Sequence, residues 1–463
     1  MGHAHSHPEP GKLSAPARAG RRRANVLLTA VLVPLAVLTV LAMALMWPGG
    51  DRGDVQISNP YATAPGVDFV TGTVQQAGTE DCPSSAPAAA AGGQIQQCLV
   101  ARTLPDGGGA AVPVEITPEI AKSHGVEAGD RIRYLDLSGV MDARTGAAYV
   151  FVDFVRTVPV ALLAVLYAVV VIAVARWRGL RAIIGLVGAY AILATFVLPA
   201  LLEGRPALPV ALVGSVAIMF GVLYFAHGFS ARTSTALLGT LFGLGITALL
   251  AAWSTGSAYL TGAGDENTYQ LINASDQLSI SGMITCGLVI SGLGVLNDVT
   301  ITQSSAVWEL HELAPHTSAR SLFASAMRIG RDHIASTVYT IAFAYAGAAL
   351  PVLILVLLYD RPLLDALTTG QLAEEVVRTL AGSIGLVLAV PVTTAVAVLV
   401  VKATARDDRP EGARPEPGAP DPGGTAQPVY AGVPDTAPPG TVPESRRARR
   451  QADGMRARRR SAE

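Results

Sequence analysis

The chain is 463 residues long, 51% hydrophobic and only 15% charged, with a mean hydropathy of +0.42. That apolar share exceeds what an ordinary soluble fold carries, so the composition is that of a membrane protein. A formal net charge of -1 excludes a strongly basic nucleic-acid binder, and three cysteines are too few for a cysteine metal framework.

The N-terminus alternates His3, His5 and His7, a low-complexity start that holds a divalent metal only weakly. Residues 1–25 end in Arg21-Arg22-Arg23-Ala24-Asn25 and are expected to be a disordered, basic, cytoplasmic segment. A transmembrane anchor follows at 26–47, the first of eight stretches of about 20 residues able to cross a hydrocarbon layer as helices. The others are 157–175, 181–202, 208–226, 234–253, 278–298, 334–358 and 381–401, so that 157–402 reads as a seven-helix membrane domain. Ala42-Met43-Ala44 has the spacing of a signal-peptide cleavage site, but the apolar run is longer than a signal core and favours an uncleaved anchor.

Residues 48–156 are the one large hydrophilic insert and should form a domain of their own. Short β-type runs at 69–74, 97–101, 112–116, 126–135 and 149–152, parted by Gly- and Pro-bearing turns, predict a small β-rich barrel, OB-like or SH3-like. Cys82 and Cys98 both lie in it, and outside the cell a disulfide between them is chemically allowed. Spacing alone does not bring their Cα atoms together. Cys286 falls inside a span, where it is most simply a small core hydrophobe.

Lys and Arg are retained on the cytoplasmic side of a bilayer. Alternate connections carry Arg176, Arg178 and Arg181, then Arg232, then Arg320, Arg328 and Arg331, then Lys402 and Arg406; the intervening ones hold Arg205, Arg361 and Arg378. The charge pattern therefore predicts eight spans, both termini in the cytoplasm of a bacterial cell (inner) membrane, and the β-rich insert outside. Residues 403–463 are rich in Pro, Gly and Ala and end in an arginine cluster, a disordered cytoplasmic tail suited to an anionic leaflet.

The most informative local feature is the sixth span. Its apolar run reaches Asn297-Asp298-Val299-Thr300 and continues as helix-patterned sequence, with Asp298, Thr302, Ser305, Glu309 and Glu312 on one stripe. The seventh span opens on Gly330-Arg331-Asp332-His333 and continues with Ser336, Tyr339 and Thr340 near one face. If these helices pack together, Asp298 and Asp332 flank an ion or substrate site, with Asn297, Thr300, Ser305, Ser336 and Tyr339 as supporting polar groups. The competing reading places both aspartates at the water interface, Asp298 paired with Arg328 or Arg331 and Asp332 favouring its helix start.

Other clusters carry less. His311 and His316 are five residues apart with Pro315 between, which breaks the spacing of a zinc-protease helix. Gly239 and Gly243 form a GxxxG spacing, most often plain helix packing. Walker A, Gly-x-Ser-x-Gly, Cys-x-x-Cys and Rossmann fingerprints are missing from the sequence, so no cofactor and no catalytic motif is expected.

Three blocks carry a family resemblance: Gly294-Val295-Leu296-Asn297-Asp298-Val299-Thr300; Ser304-Ser305-Ala306 with Glu309; and Gly330-Arg331-Asp332-His333 through Ala344-Tyr345-Ala346-Gly347 to Leu350-Pro351. With the N-terminal anchor, the external β-rich segment and the helices from 158 to 401, the chain resembles the YibE/F family of bacterial multi-span membrane proteins. In that pattern the aspartates matching Asp298 and Asp332 belong to the motif blocks. The basic tail and the His-bearing start depart from it. The resemblance implies an integral membrane protein of transport-related role, without a substrate. The expectation is an ion-coupled permease or export-system component whose partners are the lipid bilayer and a homo-oligomer or envelope protein. The alternative is a membrane scaffold or sensor that binds an envelope partner through its β domain. An intramembrane enzyme using the two aspartates ranks third.

Overall fold

A computed structural model describes residues 15–49, 66–85, 96–140, 147–262, 271, 278–360 and 362–405, with side chains described from 25 to 403. The expected N-terminal histidine cluster and the arginine-rich tail lie outside these residues.

The first helix, α1 (Ala15–Leu45), starts well before the anchor expected at 26–47 and ends two residues short of it. Leu28 and Leu32 are buried, and Leu32 joins the main helical core. The Arg205 guanidinium donates to the carbonyls of Leu45 (3.4 Å) and Trp47 (3.2 Å), tying the end of α1 to the helical part of the chain.

The insert is a closed barrel of β1 (Asp68–Asp81), β2 (Gln97–Pro105), β3 (Val112–Ile116), β4 (Arg131–Asp136) and β5 (Tyr149–Phe154), in the order β1-β2-β3-β5-β4. A short helix, α2 (Pro118–Ser123), joins β3 to β4. Closure depends on the 14-residue β1, whose first half pairs with β4 and whose second half pairs with β2. Gly72 sits at the changeover, where an added Cβ would lie 2.6 Å from the Leu104 carbonyl oxygen, so only glycine fits. All pairings are antiparallel except β3 with β5. Alternation fills the interior: Ile132 and Tyr134 point in while Arg131 and Arg133 point out, and Val74, Ala101, Val114, Ile116 and Phe151 complete the core.

Among the described residues six helices are long and apolar enough to cross a membrane, or seven if one bent pair counts as a single span. The stretches expected at 157–175 and 181–202 belong to one 46-residue run, α3 (Thr157–Ile192) continuing through a π turn (Leu193–Val197) into α4 (Leu198–Leu202). It is broken at Arg176, whose φ of 54° and ψ of -133° are not helical. A Cβ on Gly179 would lie 2.5 Å from the Val171 carbonyl oxygen. Eight residues of straight helix separate such groups by about 12 Å, so the chain folds back at the break.

Five further helices build the bundle: α5 (Ala207–His227), α6 (Ala231–Ser257), α7 (Ile280–Ser291), α8 (Leu293–Leu313) and α9 (Ala319–Ala348). The short α10 (Leu350–Leu358) bends 64° from α9, α11 (Leu363–Leu367) follows, and α12 (Gly370–Ala405) is the last of the described helices. The sixth span, expected at 278–298 with a helix-patterned continuation to Glu312, is built from α7 and α8, which meet at Gly292, and α8 carries the helix on to Leu313. Many large apolar side chains face outward, among them Leu162, Leu163, Val165, Leu166, Val169 and Val170. An exterior of this kind fits hydrocarbon, in which every backbone polar group must be paired within the helix.

Candidate functional site

The site rests on a tightly packed interior formed by α6, α8, α9 and α12. α8 is polar on two faces. Its inward face places Thr300, Gln303 and Ser304 in the bundle, each at most 3% exposed. Thr300 and Thr240 hydroxyls lie 2.6 Å apart, and Ser304 Oγ donates to the Arg232 carbonyl at 2.9 Å. Gln303 Nε2 donates to the Ala326 carbonyl (3.0 Å) and to Thr394 Oγ1 (2.7 Å), bridging α9 and α12. Glycines allow this closeness: a Cβ on Gly239 would collide with Thr393 Oγ1, one on Gly385 with Thr247 Oγ1, and one on Gly330 would lie 2.9 Å from Gln303 Oε1. The Gly239 and Gly243 pair is thus a packing device within the chain.

The outward face of α8 carries Asp298, Thr302, Glu309 and Glu312, all exposed, with Ser305 half-buried. The expected stripe is therefore real, and it points away from the bundle. Its depth follows from the inward contacts. Leu296 packs against Gly243, which also touches Ala389, and Thr300 meets Thr240. Asp298, between Leu296 and Thr300, is level with the middle of α6 and of α12, where Pro391 interrupts the backbone ladder. It is not at a helix end. A charged carboxylate at the centre of a bilayer costs about 2.5–3.5 kcal/mol on insertion scales.

α9 brings its own polar groups to the same level. Gly330 packs on Val390 and Gln303, and His333 Nε2 lies 3.4 Å from Thr302 Oγ1. Asp332, between them in sequence, is exposed and lies within about one helical turn of the level of Asp298. No hydrogen bond or ion pair joins the two aspartates among the described residues, and neither pairs with Arg328 or Arg331 there. Ser336 and Tyr339 continue the exposed face of α9 outward, one and two turns on. Asn297 is half-buried, and its Oδ1 is buried without a hydrogen-bond partner. Thr300 departs from its expected role. Its hydroxyl faces Thr240 on the opposite side of α8, so it holds the bundle together and does not line the site.

The sequence reading missed the interior partners Thr240, Gln303, Ser304 and Thr394. The available signal was the repeat of polar residues on the buried side of α8, hidden by a neighbouring stripe of stronger charges. Arg320, Arg328, Arg331 and Arg378, expected in loops, all lie within helices. Arg378 Nη1 bonds Glu375 Oε1 at 2.5 Å, and its guanidinium lies 5.8 Å from the Tyr345 ring. In the barrel, Cys82 and Cys98 lie side by side with Cα atoms 5.2 Å apart, inside the span of a disulfide. The Glu115 carboxylate lies near both sulfurs and accepts from Ser84 N (2.9 Å) and Ser84 Oγ (2.7 Å).

Neither a curated protein nor a solved structure matches the chain. The sequence model of the family described as YibE/F-like protein matches residues 163–403, the helical bundle with both aspartate blocks. The apolar exterior and this family together point to a membrane protein. Because the match spans more than half of the 463 residues, the chain belongs to the YibE/F-like family.

Proposed function

We propose that this chain is an ion-coupled permease or a component of an export system, crossing the inner membrane eight times with both termini in the cytoplasm. The observation that carries this reading is the mid-height position of Asp298 on an exposed face, level with Arg331-Asp332-His333. Ionisable groups at that depth mark ion or proton pathways. Thr302, Ser305, Ser336 and Tyr339 add oxygen ligands along the same face. Eight crossings follow if the fold-back at Arg176 divides the 46-residue run and the bent α9–α10 pair makes one span. The test compares metabolites and metal ions across the membrane in wild-type, deletion and Asp298→Asn strains. The substitution should reproduce the deletion while leaving the amount of inserted protein unchanged. Wild-type distributions in a correctly inserted Asp298→Asn strain would sink the proposal.

A second reading is favoured by the barrel. Its strand order, with a helix between β3 and β4, supports reading it as an OB-type barrel, a kind of fold that binds extended ligands on its β2–β3 face. In this reading the extracytoplasmic domain receives an envelope partner and the membrane helices act as scaffold or sensor. Deleting residues 48–156 should then abolish function although the helical bundle still inserts; full function in that deletion would count against it.

A further inference from the structure

We infer that the exposed face of α8 and α9 is the contact surface for a second copy of this chain, related by a two-fold axis along the membrane normal. The face cannot be left to lipid. Among the described residues Asp298, Arg328, Arg331 and Asp332 are all exposed and have no ion-pair partner, and they lie within the lengths of helices whose neighbours are apolar. Unpaired charges at that depth require either water or opposite charges. The face supplies its own opposite charges.

The exposed charges of the α8 stripe are acidic, Asp298, Glu309 and Glu312, and those of α9 are mainly basic, Arg331, Arg328 and Arg320, with Asp332 beside Arg331. The two helices run antiparallel. The contacts of Gln303 with Ala326 and Gly330, and of Val307 and Leu310 with Leu322 in one apolar cluster, fix their relative height. Asp298 is consequently level with Arg331 to within about one turn, and Glu309 and Glu312 are level with Arg320 to the same tolerance. A two-fold axis along the normal preserves height. It brings the acidic stripe of each copy opposite the basic stripe of the other, which is the self-complementarity an isologous interface needs. Glu309 also has a loose pair to Arg232 at 3.6 Å within the chain, so Glu312 is the freer acidic contact at the Arg320 end. Ala335, Ala346 and Gly347 are exposed on α9, and nothing lies within 4 Å of a Cβ built on Gly347, so a second helix can approach closely.

The test uses the full chain in native membranes, with a photo-crosslinking amino acid at Ser336 or Ser305, and at Leu166 and Leu249 as controls on apolar helices. Two differently tagged copies are co-expressed. Illumination should give an adduct of twice the chain mass carrying both tags from Ser336 and Ser305, and at least fivefold less from the controls. Glu312→Arg and Arg320→Glu should each cut the Ser305 adduct severalfold at unchanged protein level, and the double exchange should restore it. Equal yields at all four positions, lipid-only adducts, or an adduct with a different protein would overturn the inference. The inference does not rest on transport: an Asp298→Asn chain that has lost transport can still cross-link, and a chain that transports without cross-linking refutes this contact alone.

Discussion

Asp298 and Gln303 lie five residues apart on one helix and behave as opposites. Gln303 is 3% exposed and its amide is fully engaged across two helices, so it fixes α8 against its neighbours. Asp298 is exposed, and its carboxylate has no ion-pair partner among the described residues. Gln303→Leu removes two hydrogen bonds and leaves the Ala326 carbonyl without that donor. It should destabilise the bundle by about 1–2 kcal/mol in detergent unfolding; an unchanged midpoint would show that the amide contributes no net stability. In the barrel, Asp106 Oδ2 accepts from Thr71 Oγ1 (2.7 Å) and the Arg131 guanidinium (2.5 Å). These hydrogen bonds, with that of Thr71 the larger cause, hold its carboxyl below the ordinary 3.8. The stabilisation is therefore complete above about pH 3.8 and is lost as pH falls through the lower folded value. Asp106→Asn should flatten the barrel's loss of stability on acidification, read by near-ultraviolet circular dichroism; an identical acid transition would contradict it. The charged stripe was legible in the sequence because its spacing is helical. The buried partners were not, since Thr240 and Thr394 become neighbours of α8 only through tertiary packing.

At the scale of elements, apolar runs revealed where helices lie, because hydrophobic length and helical rise are tied to bilayer thickness. Their ends were less legible. α8 is an exception: it runs fifteen residues beyond Asp298, as the helical spacing of its polar stripe through Glu312 indicates, and Gln303, Ser304 and Val307 give that stretch a packed surface to meet. The break at Arg176 was legible from the arginines that part the runs 157–175 and 181–202, without a proline, and the turn is accommodated by Gly179. Strands were readable from alternation, including β3 at its full extent, but closure through the long β1 is a property of pairing across the barrel. The α6–α12 contact depends on missing side chains. Gly385→Val would drive its branches into Thr247 and should strip folded protein from the membrane, whereas Gly294→Ala, which meets nothing within 4 Å, should be silent. Quantifying monodisperse protein after extraction separates the two; equal yields would mean that the helices are not as close as described.

Over the whole molecule, the sequence divides into a polar β-rich insert and an apolar helical block, and each part has a different chemistry to protect. If the barrel lies outside the cell, Cys82 and Cys98 should be oxidised to a disulfide while Cys286, buried in the bundle, stays a thiol. Unfolded under non-reducing conditions, the purified chain should take up maleimide at one of its three cysteines, and at all three after reduction; three before reduction would place the barrel in a reducing compartment. The helical block is where the family resemblance and the depth of Asp298 coincide, so the account turns on that depth. A spin label at Asp298→Cys, in bilayers, can be read by its accessibility to oxygen and to a water-soluble nickel chelate. The account predicts a label near the bilayer centre that the nickel chelate nevertheless reaches. A label at headgroup level, or one at the centre reached by oxygen alone, would contradict it.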